Sequence, residues 1–217
     1  MSSVFKKRGQ HKPLYRTLHR LDAVLRRARI PYWITGGTLL GAVRHGGIIP
    51  WDDDVDISIM DKQLSKLRSA ATAKLLRKAK LELYPAPDCT DGTQWGVSPI
   101  GKSWPFIDVF VMTKRGNRIG YLSPDYQEGW STCDHTPSQI FPLRPYLLGN
   151  FLVSGPRRPI EYLNRCYGTD WNTTKQHFYD HITGTYLPDD KTLMSEDDYE
   201  PARPPADTKG TLLPHTR

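Results

Sequence analysis

The sequence contains no apolar run approaching the roughly 18 to 20 residues that a membrane-spanning helix needs. The basic N-terminal stretch MSSVFKKRGQHKPLYR has no apolar segment behind its charges, so no secretory signal is read there. The default expectation is a cytoplasmic protein with no transmembrane segment, a secretory lumen staying open if an anchor is missing. Cysteine is scarce as well: Cys89, Cys133 and Cys166 form no CxxC pair and make an odd total. That pattern excludes a zinc ribbon and argues against a disulfide framework, leaving reduced, partly buried thiols as the expectation. Periodicity is missing from about Leu187 onward, where proline and charge dominate, so residues 187–217 are expected to be a disordered or loosely attached tail.

What remains has the composition of one soluble globular domain, with 38% hydrophobic and 24% charged residues. The formal net charge of +7 favours anionic partners. Without interleaved aromatics or a nucleic-acid module, no polynucleotide is expected among them. A basic segment, 1–13, precedes a domain over 14–186. His177 and His181 stand four apart but match no metalloprotease pattern, and they read as surface or packing residues. Asn172-Thr173-Thr174 is a glycosylation sequon that matters only on secretion.

Leu14, Leu18, Leu21 and Leu25 draw one apolar stripe along a helix over 14–29, ended by Pro31. A short strand over 32–35 stops at Gly36-Gly37, and a short helix over 38–44 opens with Thr38. Residues 54–59 alternate, Asp54, Asp56 and Ser58 on one face and Val55, Ile57 and Ile59 on the other, which predicts a half-buried strand. Asp61 is the expected cap of a helix carrying Leu64, Leu67, Ala71, Leu75 and Ala79. Further strands are expected over 81–84, 106–112 and 118–122, a hairpin joins 146–148 to 151–153, and a helix over 159–167 ends at Gly168. Interleaved strands and helices predict an α/β or α+β fold.

The stretch GGIIPWDDDVDISIM crowds four aspartates into five positions against that strand. Asp52 and Asp53 suit a turn after Pro50-Trp51. Asp54 and Asp56 sit two apart, with Cα atoms about 6.6 Å from each other on one strand, near enough to share a cation. An EF-hand would need glycine and glutamate where Ile57 and Gln63 stand, and is excluded. A hard divalent cation such as Mg²⁺ or Mn²⁺ prefers carboxylate and phosphate oxygens. Asp108, alone inside the apolar strand FIDVF, offers the third carboxylate, since an unpaired charge there would be costly. Gly36, Gly37 and Thr38 place free backbone amides at a helix start, where a phosphate would sit, and Arg44 and His45 follow with added charge.

Hydrophobic-Gly-Gly, then Asp-x-Asp, then a later strand-borne aspartate resembles the nucleotidyltransferase superfamily. More narrowly, WITGGTLLGAVRHGGIIPWDDDVDISI resembles the LicD family, which includes fukutin and fukutin-related protein. FIDVFVM and the stretch from IFPLRP to YGTDW continue the likeness, which spans about residues 30 to 172. The resemblance implies a nucleotidyltransferase-like mixed sheet flanked by helices. It implies a phosphotransferase moving a phosphorylated alcohol, of phosphocholine or ribitol-phosphate type, from a CDP-linked donor to a glycan or glycolipid hydroxyl. Asp54, Asp56 and Asp108 would then hold Mg²⁺ or Mn²⁺, Asp52 would support the site or contact the donor, and Gly36, Gly37, Arg44 and His45 would line the diphosphate. An NTP-using nucleotidyltransferase and a non-catalytic regulator stay as alternatives.

Overall fold

The computed structural model describes residues 11–87, 89, 91–176, 179–180, 185–186 and 191–208. Helix α1 (Lys12–Arg27) buries Leu14, Leu18, Leu21 and Leu25 as the stripe requires. It starts two residues earlier than expected because Pro13 suits a first turn, where its missing N–H is not needed. A mixed sheet follows in the order β1-β2-β5-β4-β3, from β1 (Tyr32–Ile34), β2 (Asp56–Met60), β3 (Leu81–Pro85), β4 (Gln94–Pro99) and β5 (Ile107–Arg115), with β6 (Arg118–Tyr121) paired to β5. β2 and β5 are parallel, and the other pairings in this sheet are antiparallel. Helix α2 (Gly36–Arg44) connects β1 towards β2, and the expected hairpin is β7 (Arg144–Leu148) with β8 (Phe151–Gly155).

Several local expectations are corrected. α2 begins at Gly36, not Thr38, and Thr35 occupies the capping position. β2 begins at Asp56, so Asp54 belongs to the loop before it. β2 is also not half buried: Ser58 is fully covered because Trp33, Met112, Ile119, Tyr121 and Ile140 form a second apolar cluster, and Trp33 lies opposite it in the ladder. Asp61 does not cap a long helix. It opens a single tight turn, α3 (Leu64–Leu67) follows, and α4 (Ala70–Lys78) is capped by Ser69, whose hydroxyl accepts from Thr72 N at 3.2 Å. Strand β4, QWGVSP, carries no alternation because nearly all of it is buried between β3 and β5.

Beyond the sheet lie α5 (Pro124–Gly129), α6 (Pro137–Ile140) and α7 (Ile160–Tyr167), the last ending at Gly168 as expected. Cys133 and Cys166 are joined in a disulfide with Cα atoms 5.3 Å apart, against the expectation of reduced thiols. Their separation of 33 residues leaves no local spacing to signal it; the packing of α7 on the 131–133 turn brings them together. His177 and His181 lie outside the described residues. β9 (Thr174–Lys175) precedes a small pair, β10 (Tyr179–Asp180) with β11 (Thr185–Tyr186), and itself pairs with β12 (Thr192–Leu193). No helix among the described residues is long and apolar enough to cross a membrane.

Residues 191–208 differ from the expected loose tail, whereas 209–217 lie outside the described residues. Tyr15 Oη donates to the Ala202 carbonyl at 2.7 Å and accepts from Ile48 N at 2.8 Å, all of it buried. Asn150 Nδ2 donates to the Pro205 carbonyl, Thr208 Oγ1 donates to Asn150 Oδ1, and Arg16 pairs with Asp207 at 2.9 Å. Hydrogen bonds and prolines hold this segment, which is why no apolar period announced it. Tyr15→Phe keeps the ring and strands both partners, an expected loss of about 1–3 kcal/mol. Thermal unfolding and limited proteolysis over 191–208 check this: an unchanged melting temperature with an equally resistant segment would contradict the anchoring.

Candidate active site

The parallel ladder places Asp56 directly opposite Asp108, on adjacent strands and one face. Asp108 N donates to the Val55 carbonyl at 2.8 Å, which draws the incoming loop against β5. Asp54, one residue before Val55, thereby joins them: carboxylate oxygens of Asp54, Asp56 and Asp108 lie within 4.8 Å of one another. Asp52, Asp53 and Asp54 form a second such group. Burial pushes the Asp56 carboxyl well above the usual carboxylate range, and Asp54, Asp108 and Asp52 push it further. The Gly37 N–H, donating to Asp56 Oδ2 at 3.2 Å, opposes that shift.

The Gly-Gly turn is fitted to these acids. Gly36 has φ +54°, and a Cβ there would collide with Asp56 Oδ2; a Cβ on Gly37 would come 2.7 Å from Asp52 Oδ2. Thr35 N donates to the Asp56 carbonyl, and Thr38 Oγ1 accepts from Asp56 N at 2.8 Å. Thr38 is thus buried behind the site, fixing Asp56, rather than facing a ligand. From α7, Tyr162 Oη accepts from Gly36 N and shares a hydrogen bond with Thr35 Oγ1, both at 3.2 Å. His135 stacks on the Tyr162 ring at 4.4 Å between centroids. The aspartate loop is held from two sides: His11 Nε2 donates to the Asp52 carbonyl at 2.8 Å and Trp104 Nε1 to the Asp53 carbonyl at 2.9 Å.

These groups border a cavity of about 770 Å³ whose wall includes Gly36, Gly37, Arg44, Asp52, Asp54, Asp56 and Asp108. That volume suits a nucleotide-sized ligand. Aromatic rings complete the wall, including an edge-to-face group in which Phe110 lies 5.4 Å from Tyr121 and 5.5 Å from Tyr126. Arg44 reaches the cavity but is engaged: its Nη1 donates to the Trp171 and Thr174 carbonyls at 2.6 and 2.8 Å, and its Nε donates to His45 Nδ1. Burial lowers it to about 10, leaving it charged at neutral pH. His45 stands outside the lining, donating from Nε2 to the Asp198 carbonyl, and burial together with Arg44 lowers it to about 4. It is neutral at pH 7 and supplies no charge to an anion.

The acids and glycines thus lie together as the sequence suggests, but the Gly36 and Gly37 amides expected to be free for a phosphate donate to Tyr162 Oη and Asp56 Oδ2; the roles of His11, Trp104 and Tyr162 run through single long-range hydrogen bonds that no local spacing marks. The fit of the Gly-Gly turn has its own test. Gly36→Ala carries both the left-handed strain, about 1–2 kcal/mol, and the clash with Asp56, whereas Gly116→Ala at φ +58° meets nothing within 4 Å. Gly36→Ala is expected to lower the melting temperature more than Gly116→Ala does; equal losses would contradict the fit.

The donor set, three converging carboxylates with no soft ligand, fits a hard divalent cation such as Mg²⁺ or Mn²⁺. The family model described as LicD/FKTN/FKRP, nucleotidyltransferase domain, matches residues 29–158. The uncharacterized protein RP689 of Rickettsia prowazekii is 31% identical over 159 residues, 73% of this chain and 55% of that protein. Human ribitol 5-phosphate transferase FKRP is 52% identical over 48 residues, 22% of this chain and 10% of its own length. Lipopolysaccharide cholinephosphotransferase LicD of Haemophilus influenzae is 57% identical over 35 residues, 16% of this chain and 13% of its own. The chain spans about half the length of the Rickettsia relatives it matches. Among solved structures, ANT(2")-Ia in complex with adenylyl-2"-tobramycin aligns over 65% of this chain and 68% of its own, with a TM-score of 0.44 and 11% identity. With the matched region covering more than half of the chain, and the glycines and aspartates that bound the cavity all inside it, this protein belongs to the LicD family.

Proposed function

We propose that this chain is a metal-dependent phosphotransferase that moves a phosphorylated alcohol from a CDP-linked donor to a glycan or glycolipid hydroxyl. One observation carries the reading: Asp54, Asp56 and Asp108 converge beside the Gly-Gly turn on a cavity large enough for a nucleotide. Two of the relatives bear the names of ribitol 5-phosphate and choline phosphate transferases, which supports a phosphorylated alcohol as the group moved.

In this reading Asp54, Asp56 and Asp108 hold Mg²⁺ or Mn²⁺, which when bound offsets charge on the diphosphate and on the departing oxygen. The chain's own residues do the placing. The register of β2 and β5 sets the spacing of Asp56 and Asp108, while Thr38 and Gly37 orient Asp56 from its backbone and its carboxylate. Tyr162 holds the Gly36 amide at the mouth of the turn. A carboxylate of the cluster takes the acceptor hydroxyl's proton, the acceptor oxygen bonds to phosphorus, and the bond from phosphorus to the CMP oxygen breaks, releasing CMP.

The test is CMP release from CDP-choline and CDP-ribitol with a glycan acceptor, in Mn²⁺ or Mg²⁺ and in chelator. Turnover is expected only with metal, and Asp56→Asn and Asp108→Asn are each expected to lower it by about 10³-fold or more. Both variants are expected to melt no lower than the parent without metal, since each removes part of a buried repulsion. Near-native turnover in either variant would overturn the assignment of the carboxylates. Pyrophosphate release from CTP or ATP in place of CMP release would make the enzyme an NTP-using nucleotidyltransferase.

A further inference from the structure

The aspartates that line the cavity make it strongly negative, and a diphosphate arriving there adds charge of the same sign. A basic side chain in the same wall would offset part of that repulsion. Among the described residues that line the cavity, the basic ones are Arg44 and Lys191. Arg44 is tied to the Trp171 and Thr174 carbonyls and to His45. Lys191 Nζ donates to the Tyr167 carbonyl at 2.7 Å and to Asp170 Oδ1 at 2.8 Å, two of the three donors an ammonium carries. Its side chain is 32% exposed and forms part of the cavity wall.

Lys191 is also held in place. The next two residues pair with β9, Thr192 opposite Lys175 and Leu193 opposite Thr174, and Met194 N donates to the Thr173 carbonyl at 2.9 Å. Asp198 closes the same segment by pairing with Lys175 at 2.6 Å. The Thr174 carbonyl that Arg44 grips belongs to this ladder. Arg44 therefore anchors the wall from which Lys191 projects. Lys191 stands beyond the matched region 29–158, where no family motif marks it.

We propose that Lys191 is the residue that receives the donor's diphosphate, with Arg44 positioning it through β9; the proposal rests on the reading of the cavity as a site for a CDP-linked donor. The phosphate gains a charge-assisted hydrogen bond from the ammonium.

Calorimetric titrations of CDP and cytidine in Mn²⁺, on the parent, Lys191→Ala and Lys191→Arg, test it. Lys191→Ala is expected to weaken CDP by about tenfold or more and cytidine by less than about twofold, with Lys191→Arg recovering most of the loss. If the parent binds CDP and Lys191→Ala binds it equally well, Lys191 is not the diphosphate residue and the proposed function stands. If CDP and cytidine weaken together, Lys191 only supports the wall and the proposal is overturned. A parent protein that binds no CDP overturns the proposed function, and this assignment with it.

Discussion

The mutual repulsion of carboxylates gathered at the edge of one parallel strand pair is the constraint around which the rest of this structure is arranged. Asp56 and Asp108 are forced side by side by the β2/β5 register, and Asp54 and Asp52 are folded in after them by the loop that Asp108 N and His11 hold. Left alone, such a cluster favours protonation, as the upward shift of Asp56 records. On the proposed reading, a divalent cation would remove the conflict by giving the same oxygens a shared partner.

Around that core, the chain secures the loops that carry the acids with backbone contacts. The Asp52, Asp53 and Asp56 carbonyls are gripped by His11, Trp104 and Thr35 N respectively. Arg44 likewise binds backbone, the Trp171 and Thr174 carbonyls, and so joins α2, at the heart of the family motif, to a segment outside the matched region. The segment 191–208 is in turn bonded to α1 through Tyr15 and Arg16. A substitution at Tyr15, remote from the acids in sequence, is thereby coupled to the cavity wall.

What was legible in the sequence follows from where the information lies. The leucine stripe of α1, the strand around Asp108 and the β7/β8 hairpin are set by local periodicity, and all three are present. The Gly-Gly and aspartate stretches were legible because left-handed backbone and crowded charge are unusual enough to need a cause. β4 was not legible, since a strand buried on both faces has no alternation to read. Arg44 and His45 are legible as charge and as part of the family-like motif; which carbonyls they face depends on residues more than a hundred positions away. The Cys133–Cys166 disulfide and the placement of 191–208 are likewise products of tertiary contact.

The most direct test of the central claim is a calorimetric titration of Mn²⁺ into the purified protein at pH 7, beside Asp56→Asn. If the carboxylates are gathered to hold a divalent cation, the parent shows saturable Mn²⁺ binding that the variant lacks or weakens by about tenfold or more. Equal binding by both proteins, or none by the parent even with CDP present, would contradict the account and leave the crowding of Asp54, Asp56 and Asp108 without a cause.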